Sequence, residues 1–141
     1  MNLIFAIVLG SFATVIGLGV YNKFITPKEM SQQEVNMQMA EEINKQLPKK
    51  IDKDTTWISA TPDGLNLYYR YEFSKNKDDY SIDYFKAAMK LKLMKGLCNE
   101  DFLNNVLKKG TIFHYQYFDK NEEEIATILI TEKTCLTKIS D

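Results

Sequence analysis

Leu65-Asn-Leu-Tyr-Tyr-Arg-Tyr-Glu-Phe73 is the stretch that decides the fold. Leu65, Leu67, Tyr69, Tyr71 and Phe73 alternate with Asn66, Tyr68, Arg70 and Glu72. A period of two sends the two sets to opposite faces, so the segment reads as a half-buried β-strand. Upstream, Thr55 to Thr61 reads as another strand. Pro62-Asp63-Gly64 supplies the turn between them, with proline at the second turn position. Together they predict a hairpin.

The same alternation returns downstream. Thr111 to Asp119 reads as strand, with Phe113, Tyr115 and Tyr117 on one side. Lys120 to Glu123 is a charged turn, and Glu124 to Thr131 is the partner strand. Between the two hairpins, Ile82, Phe85, Met89 and Leu93 recur at helical spacing, with Gly96 expected to interrupt the helix. A second short helix carries Phe102, Leu103, Val106 and Leu107, capped by Asn99 or Asp101 and ended by Gly110. Before the first hairpin, Ser31-Gln-Gln-Glu34 has the form of a capping box. Val35, Met39, Ile43 and Leu47 follow as the apolar stripe of an amphipathic helix, which Pro48 stops. The order α-β-β-α-α-β-β predicts an α+β domain: an antiparallel sheet of about four strands with helices packed on it.

Ahead of this domain, Leu3 to Tyr21 is an apolar run without a charge. As a helix it would span roughly 28 Å, about the hydrocarbon core of a bilayer. A cleavable signal peptide usually has a basic start and a shorter apolar core, and only Met1-Asn2 precedes this run. The expectation is an uncleaved transmembrane helix. The chain then divides into an anchor (1–22), a stem (23–30), a soluble α+β domain (31–136) and a tail (137–141). No cysteine precedes Cys98, which excludes a lipoprotein signal. Gly10, Ala13 or Thr14, and Gly17 put small residues on one face of the run, a pattern that permits a homodimer through the anchor.

At 141 residues there is room for a single modest core. The net charge of -1 and one arginine, Arg70, argue against a nucleic-acid partner. Cys98 and Cys135 are the only cysteines. An even pair in a small domain favours a disulfide and an oxidising compartment, against the alternative of two separate buried thiols. Lys23 and Lys28 lean the other way, toward a cytoplasmic domain, but two lysines bias topology weakly. The expected placement is a single-pass bacterial inner-membrane protein with its domain in the periplasm.

No catalytic constellation is legible. His114, the only histidine, lies opposite Phe113 and Tyr115 with no signature of an orienting carboxylate or nucleophile. Two cysteines and one histidine fall short of a zinc ligand set, and Glu122-Glu123-Glu124 lacks the alternating oxygens and glycine of a calcium loop. The expectation is no enzyme, no metal and no cofactor. Tyr68, Arg70, His114, Gln116 and Phe118 share the outward face of the paired strands. Tyrosine and arginine are enriched at binding hot spots, so these five are the candidate partner-binding residues. The alternatives are that the amino-terminal helix covers them, or that they are routine cross-strand pairs.

Gly64, Leu97-Cys98, Lys109-Gly110, the Tyr115-x-Tyr117 strand and Cys135 carry a resemblance to the β-class pilotins of type II secretion, over Ile51 to Cys135. The resemblance implies a small periplasmic, noncatalytic module that binds a segment of another envelope protein. This chain departs from the pilotins in lacking a lipobox cysteine, so outer-membrane escort is not expected of it. The function expected is therefore a membrane-anchored envelope accessory or assembly factor. The competing class is an immunity or phage superinfection-exclusion protein that blocks a toxin or a DNA-injection apparatus.

Overall fold

The computed structural model describes residues 29–137. The expected anchor, its dimerisation face and most of the tail lie outside the described residues. Among those described, no helix is long and apolar enough to cross a membrane.

The chain builds α1 (Gln32–Asn44), β1 (Lys49–Lys50), β2 (Thr55–Asp63), β3 (Asn66–Phe73), a 3-10 turn (Lys77–Asp79), α2 (Ile82–Leu97), α3 (Asp101–Lys108), β4 (Ile112–Phe118), β5 (Glu124–Ile130) and α4 (Glu132–Leu136). The strands form one sheet in the order β1-β2-β3-β4-β5. Its fold class is α+β, as the sequence indicates.

The sheet is mixed, not antiparallel, and it has five strands. β3 and β4 run parallel, with Leu67, Tyr69 and Tyr71 in register with Phe113, Tyr115 and Tyr117. The reason is the connection between them. A parallel pair needs a long crossover, and the helical insert returns the chain to the end of the sheet where β3 began. The fifth strand is β1, whose Lys49 and Lys50 pair with Trp57 and Thr56. Lysines on a two-residue edge strand carry no hydrophobic alternation to read, and they discourage further pairing there.

Three boundaries also differ from the sequence reading. β2 extends through Pro62, and Asp63 pairs with Asn66, so the hairpin loop is Gly64-Leu65. Gly64 has a φ of 60°, the left-handed conformation that a two-residue loop requires. Leu65 therefore sits in the turn, 39% exposed, instead of in the core. α2 continues through Gly96 to Leu97, with Cys98 as its C-cap. A glycine in the last turn costs about 1 kcal/mol relative to alanine, too little to break a helix held by packing. The N-cap of α3 is Glu100, between the two expected candidates.

The odd-numbered aromatics fill the core. Tyr69, Tyr71, Phe73, Phe113, Tyr115 and Tyr117 are all buried. Tyr71 stacks on Trp57 at 5.5 Å and on Tyr117 at 5.2 Å. From α2, Phe85 meets Phe73 and Tyr117 edge-on, at 5.5 and 5.3 Å. α1 contributes Met39, Ala40 and Ile43 to the same core. Both long helices thus cover one face of the sheet.

The capping box forms as expected: Glu34 Oε2 accepts from Ser31 N at 2.8 Å, and Ser31 Oγ accepts from Glu34 N. Two asparagines, the buried Asn36 and the exposed Asn44, then fix how α1 sits. Asn36 Nδ2 donates to Gly64 O at 3.1 Å, and its Oδ1 accepts from Thr111 Oγ1 at 2.8 Å. At the far end, Asn44 bonds both the N–H and the carbonyl of Ala60. These bonds tie α1 to the β2–β3 turn, to the start of β4 and to the middle of β2.

Cys98 and Cys135 are joined as a disulfide, linking the end of α2 to α4. On the opposite end of the sheet, Asp119 organises the β4–β5 turn. Its carboxylate accepts from the backbone amides of Lys77 at 2.9 Å, Asn121 at 2.7 Å and Glu123 at 2.9 Å. The Lys77 amide, then those of Glu123 and Asn121, holds the carboxyl below its usual range against the opposing effect of burial. A depressed folded value means the unfolded chain binds the proton more readily. The resulting stability is present above the ordinary carboxyl value and is lost as pH falls through the depressed one. Urea titrations across the acid range should show a shallower pH dependence for Asp119→Asn than for wild type. Identical slopes would contradict this.

Candidate functional site

With α1 and α2 on one face, the even-numbered residues of β3 and β4 emerge on the other. The parallel register places Tyr68 beside His114, Arg70 beside Gln116 and Glu72 beside Phe118. All five candidate residues therefore lie together on adjacent central strands. α1 does not cover them, because its buried side packs on the aromatic core behind the sheet.

Two stacked pairs form the centre. Tyr68 and His114 lie nearly parallel, with centroids 4.3 Å apart and an interplanar angle of 23°. His114 Nε2 lies 2.8 Å from Asn66 Oδ1. A carbonyl oxygen only accepts, so that nitrogen carries the hydrogen. One rung along, the Arg70 guanidinium lies over the Phe118 ring, 3.7 Å from its centroid. Glu122 approaches Arg70 at 3.9 Å from the turn, a long and exposed ion pair. Gln116 stands between the two stacks.

The surrounding residues extend the face. Ser59 and Thr61 pair with Arg70 and Tyr68 from β2. Thr127 and Leu129 pair with Gln116 and His114 from β5, and Leu129 is 49% exposed. Sequence reasoning missed Leu129, Asn66 and Glu122 as members. Alternation along β5 was enough to point Leu129 outward; nothing local placed Asn66 beside His114, because that contact depends on the parallel register. Glu122, whose carboxylate approaches Arg70, has a φ of 64° in its turn.

Chemically, this face presents aromatic rings, a guanidinium and amide groups. His114 is held by an amide oxygen and a phenol ring, and neither would orient a general base. Partial burial lowers its basicity. Because the folded value is depressed, the unfolded chain takes up the proton first, and stability falls as pH drops below about 6.5. His114→Phe, which keeps a ring for Tyr68, should flatten that part of the pH–stability curve in urea titrations. An unchanged curve would mean His114 does not report on folding. Among the described residues, no three His, Cys, Asp or Glu side chains group as metal ligands.

These features define a class: a disulfide-linked α+β module, two helices backing a mixed five-stranded sheet whose other face is open. The chain belongs to the family described as a domain of unknown function (DUF8479), which matches residues 30–127. No curated protein matches the sequence. Three solved structures share the fold. The type II secretion pilotin EpsS of Vibrio vulnificus has a TM-score of 0.62 at 10% identity, covering 76% of this chain and 94% of that one. The type II secretion system pilotin AspS of Vibrio cholerae has a TM-score of 0.56 at 15% identity, covering 74% and 92%. A Pseudomonas aeruginosa protein, provisionally assigned as secreted, has a TM-score of 0.58 at 16% identity, covering 77% and 99%. The resemblance to type II secretion pilotins is thus real at the level of the fold.

Proposed function

We propose that this protein is a noncatalytic binding module of the bacterial envelope, an assembly or accessory factor that receives another protein on its open sheet face. The observation that carries this reading is the pairing of Tyr68 with His114 and of Arg70 with Phe118 on neighbouring rungs. Aromatic side chains with few rotatable bonds, and an arginine already stacked on one of them, cost little further entropy to immobilise, which suits them as hot spots. Gln116, Ser59 and Thr61 add polar groups around them. The pilotin-like fold supports a role in envelope assembly, and the disulfide supports an oxidising compartment. Anchorage by residues 3–21, with the domain in the periplasm, fits the same reading.

The test is affinity capture from membranes of the native host, using the full chain and a Tyr68→Ala/Arg70→Ala variant that keeps the core intact. A partner from the envelope that is retained by wild type and lost with the variant is the expected result. Equal retention by both would remove the open face as the binding site. Retention only of a toxin or phage protein would replace assembly by protection.

A further inference from the structure

α2 is apolar on two sides. Its inner side contributes Phe85, Leu93 and Leu97 to the core. On its outer side, Tyr84 is 77% exposed and Leu91 40%, with exposed Ala87 between them. Spacings of three and four residues put these in one outward stripe. Lys86, Lys90 and Lys95 are exposed along the same helix, which carries four lysines against the single acid Asp83. The rest of the chain must therefore be acidic, since the whole carries a net charge of -1. Lys90 and Lys95 flank this stripe, one on each side, whereas Lys86 lies nearer the core side of the helix, and no described residue covers the stripe.

We propose that α2 docks this domain on an anionic phospholipid surface. Tyr84, Ala87 and Leu91 enter the headgroup boundary, and Lys90 and Lys95 reach lipid phosphates while their stems lie along the apolar stripe. That division of labour is the one interfacial helices use. Charge complementarity favours lipid, because clustered lysines gain from the surface potential of an anionic leaflet. Chain length agrees. Residues 22–31 separate the apolar run Leu3–Tyr21 from α1 and reach at most about 35 Å. In that pose the face bearing Tyr68, Arg70 and His114 points away from the lipid, open to a partner.

The test uses the full chain with Ala87→Cys, inserted from detergent into preformed vesicles and treated with a membrane-impermeant maleimide. The native cysteines are bridged and do not react, and Thr61→Cys on the open face serves as control. In vesicles of phosphatidylcholine mixed with phosphatidylglycerol, labelling at position 87 should be several-fold slower than in phosphatidylcholine alone. About 0.5 M NaCl should abolish the difference by screening. Adding Lys90→Gln and Lys95→Gln should also abolish it, with circular dichroism confirming the fold; position 61 should be unaffected. Equal rates in both vesicles, or protection that persists without the lysines, would overturn the proposal. Protection that depends on protein density instead of lipid charge would also overturn it and assign the stripe to a second copy of the chain.

Discussion

Replacing Cys98 and Cys135 by serine should destabilise the domain by about 4 kcal/mol, the chain-entropy value for a loop of this size. The bridge spans 37 residues of sequence and encloses α3, β4 and β5, half of the sheet's parallel centre included. Without it, the unfolded chain regains the freedom of that whole segment. A domain of this size has roughly 5–15 kcal/mol in hand, so the loss is a large fraction of the total. The melting temperature should fall by on the order of 20 °C, and adding reductant to the wild type should give a comparable drop. Equilibrium urea unfolding of both forms is the check. A change below about 1 kcal/mol would mean that the α2–α4 link adds little to what the core already enforces.

Phe113→Ala should cost about 3–5 kcal/mol, through lost transfer energy and the cavity left behind. Phe113 is 0% exposed and packs against Tyr69 and Tyr115, at 5.6 and 6.2 Å between ring centroids. It sits in β4, paired on both sides by β3 and β5, so backbone shifts cannot close the void cheaply. Its neighbour in sequence gives the contrast. His114 points the other way, and His114→Ala should cost only about 1 kcal/mol, the worth of one aromatic pair. Chemical denaturation of the two variants separates the faces of a single strand. Similar losses at positions 113 and 114 would contradict the division into a core face and an open face.

That division is legible in the sequence alone, and its reason is simple. Leu67 to Phe73 and Phe113 to Tyr117 alternate without a slip, so side-chain direction follows from the backbone period alone. The Ser31–Glu34 capping box and the Cys98–Cys135 bridge were likewise readable, the first from local geometry and the second because two cysteines allow one pairing. What sequence did not disclose is how the strands are ordered. Tyr68 against His114 and Arg70 over Phe118 both depend on β3 and β4 lying side by side in parallel, which a reading of two separate hairpins does not imply. Local competition hid the rest. Pro62 looks like a turn former, yet Gly64 takes the positive φ and pulls the turn past it, and Gly96 looks like a helix break, yet the last turn of α2 tolerates it. Lys49-Lys50 has no pattern of its own and becomes a strand only because β2 offers it an edge.

The binding role of the open face is tested most directly by a photo-crosslinking amino acid at Tyr68 of the full chain, irradiated in intact cells of the native host. The same probe at Asn105, exposed on α3, is the reference. A discrete adduct with one envelope protein from position 68, absent from position 105 and lost with Arg70→Ala, is the predicted result. An adduct from position 105 alone, or none from position 68, would contradict it.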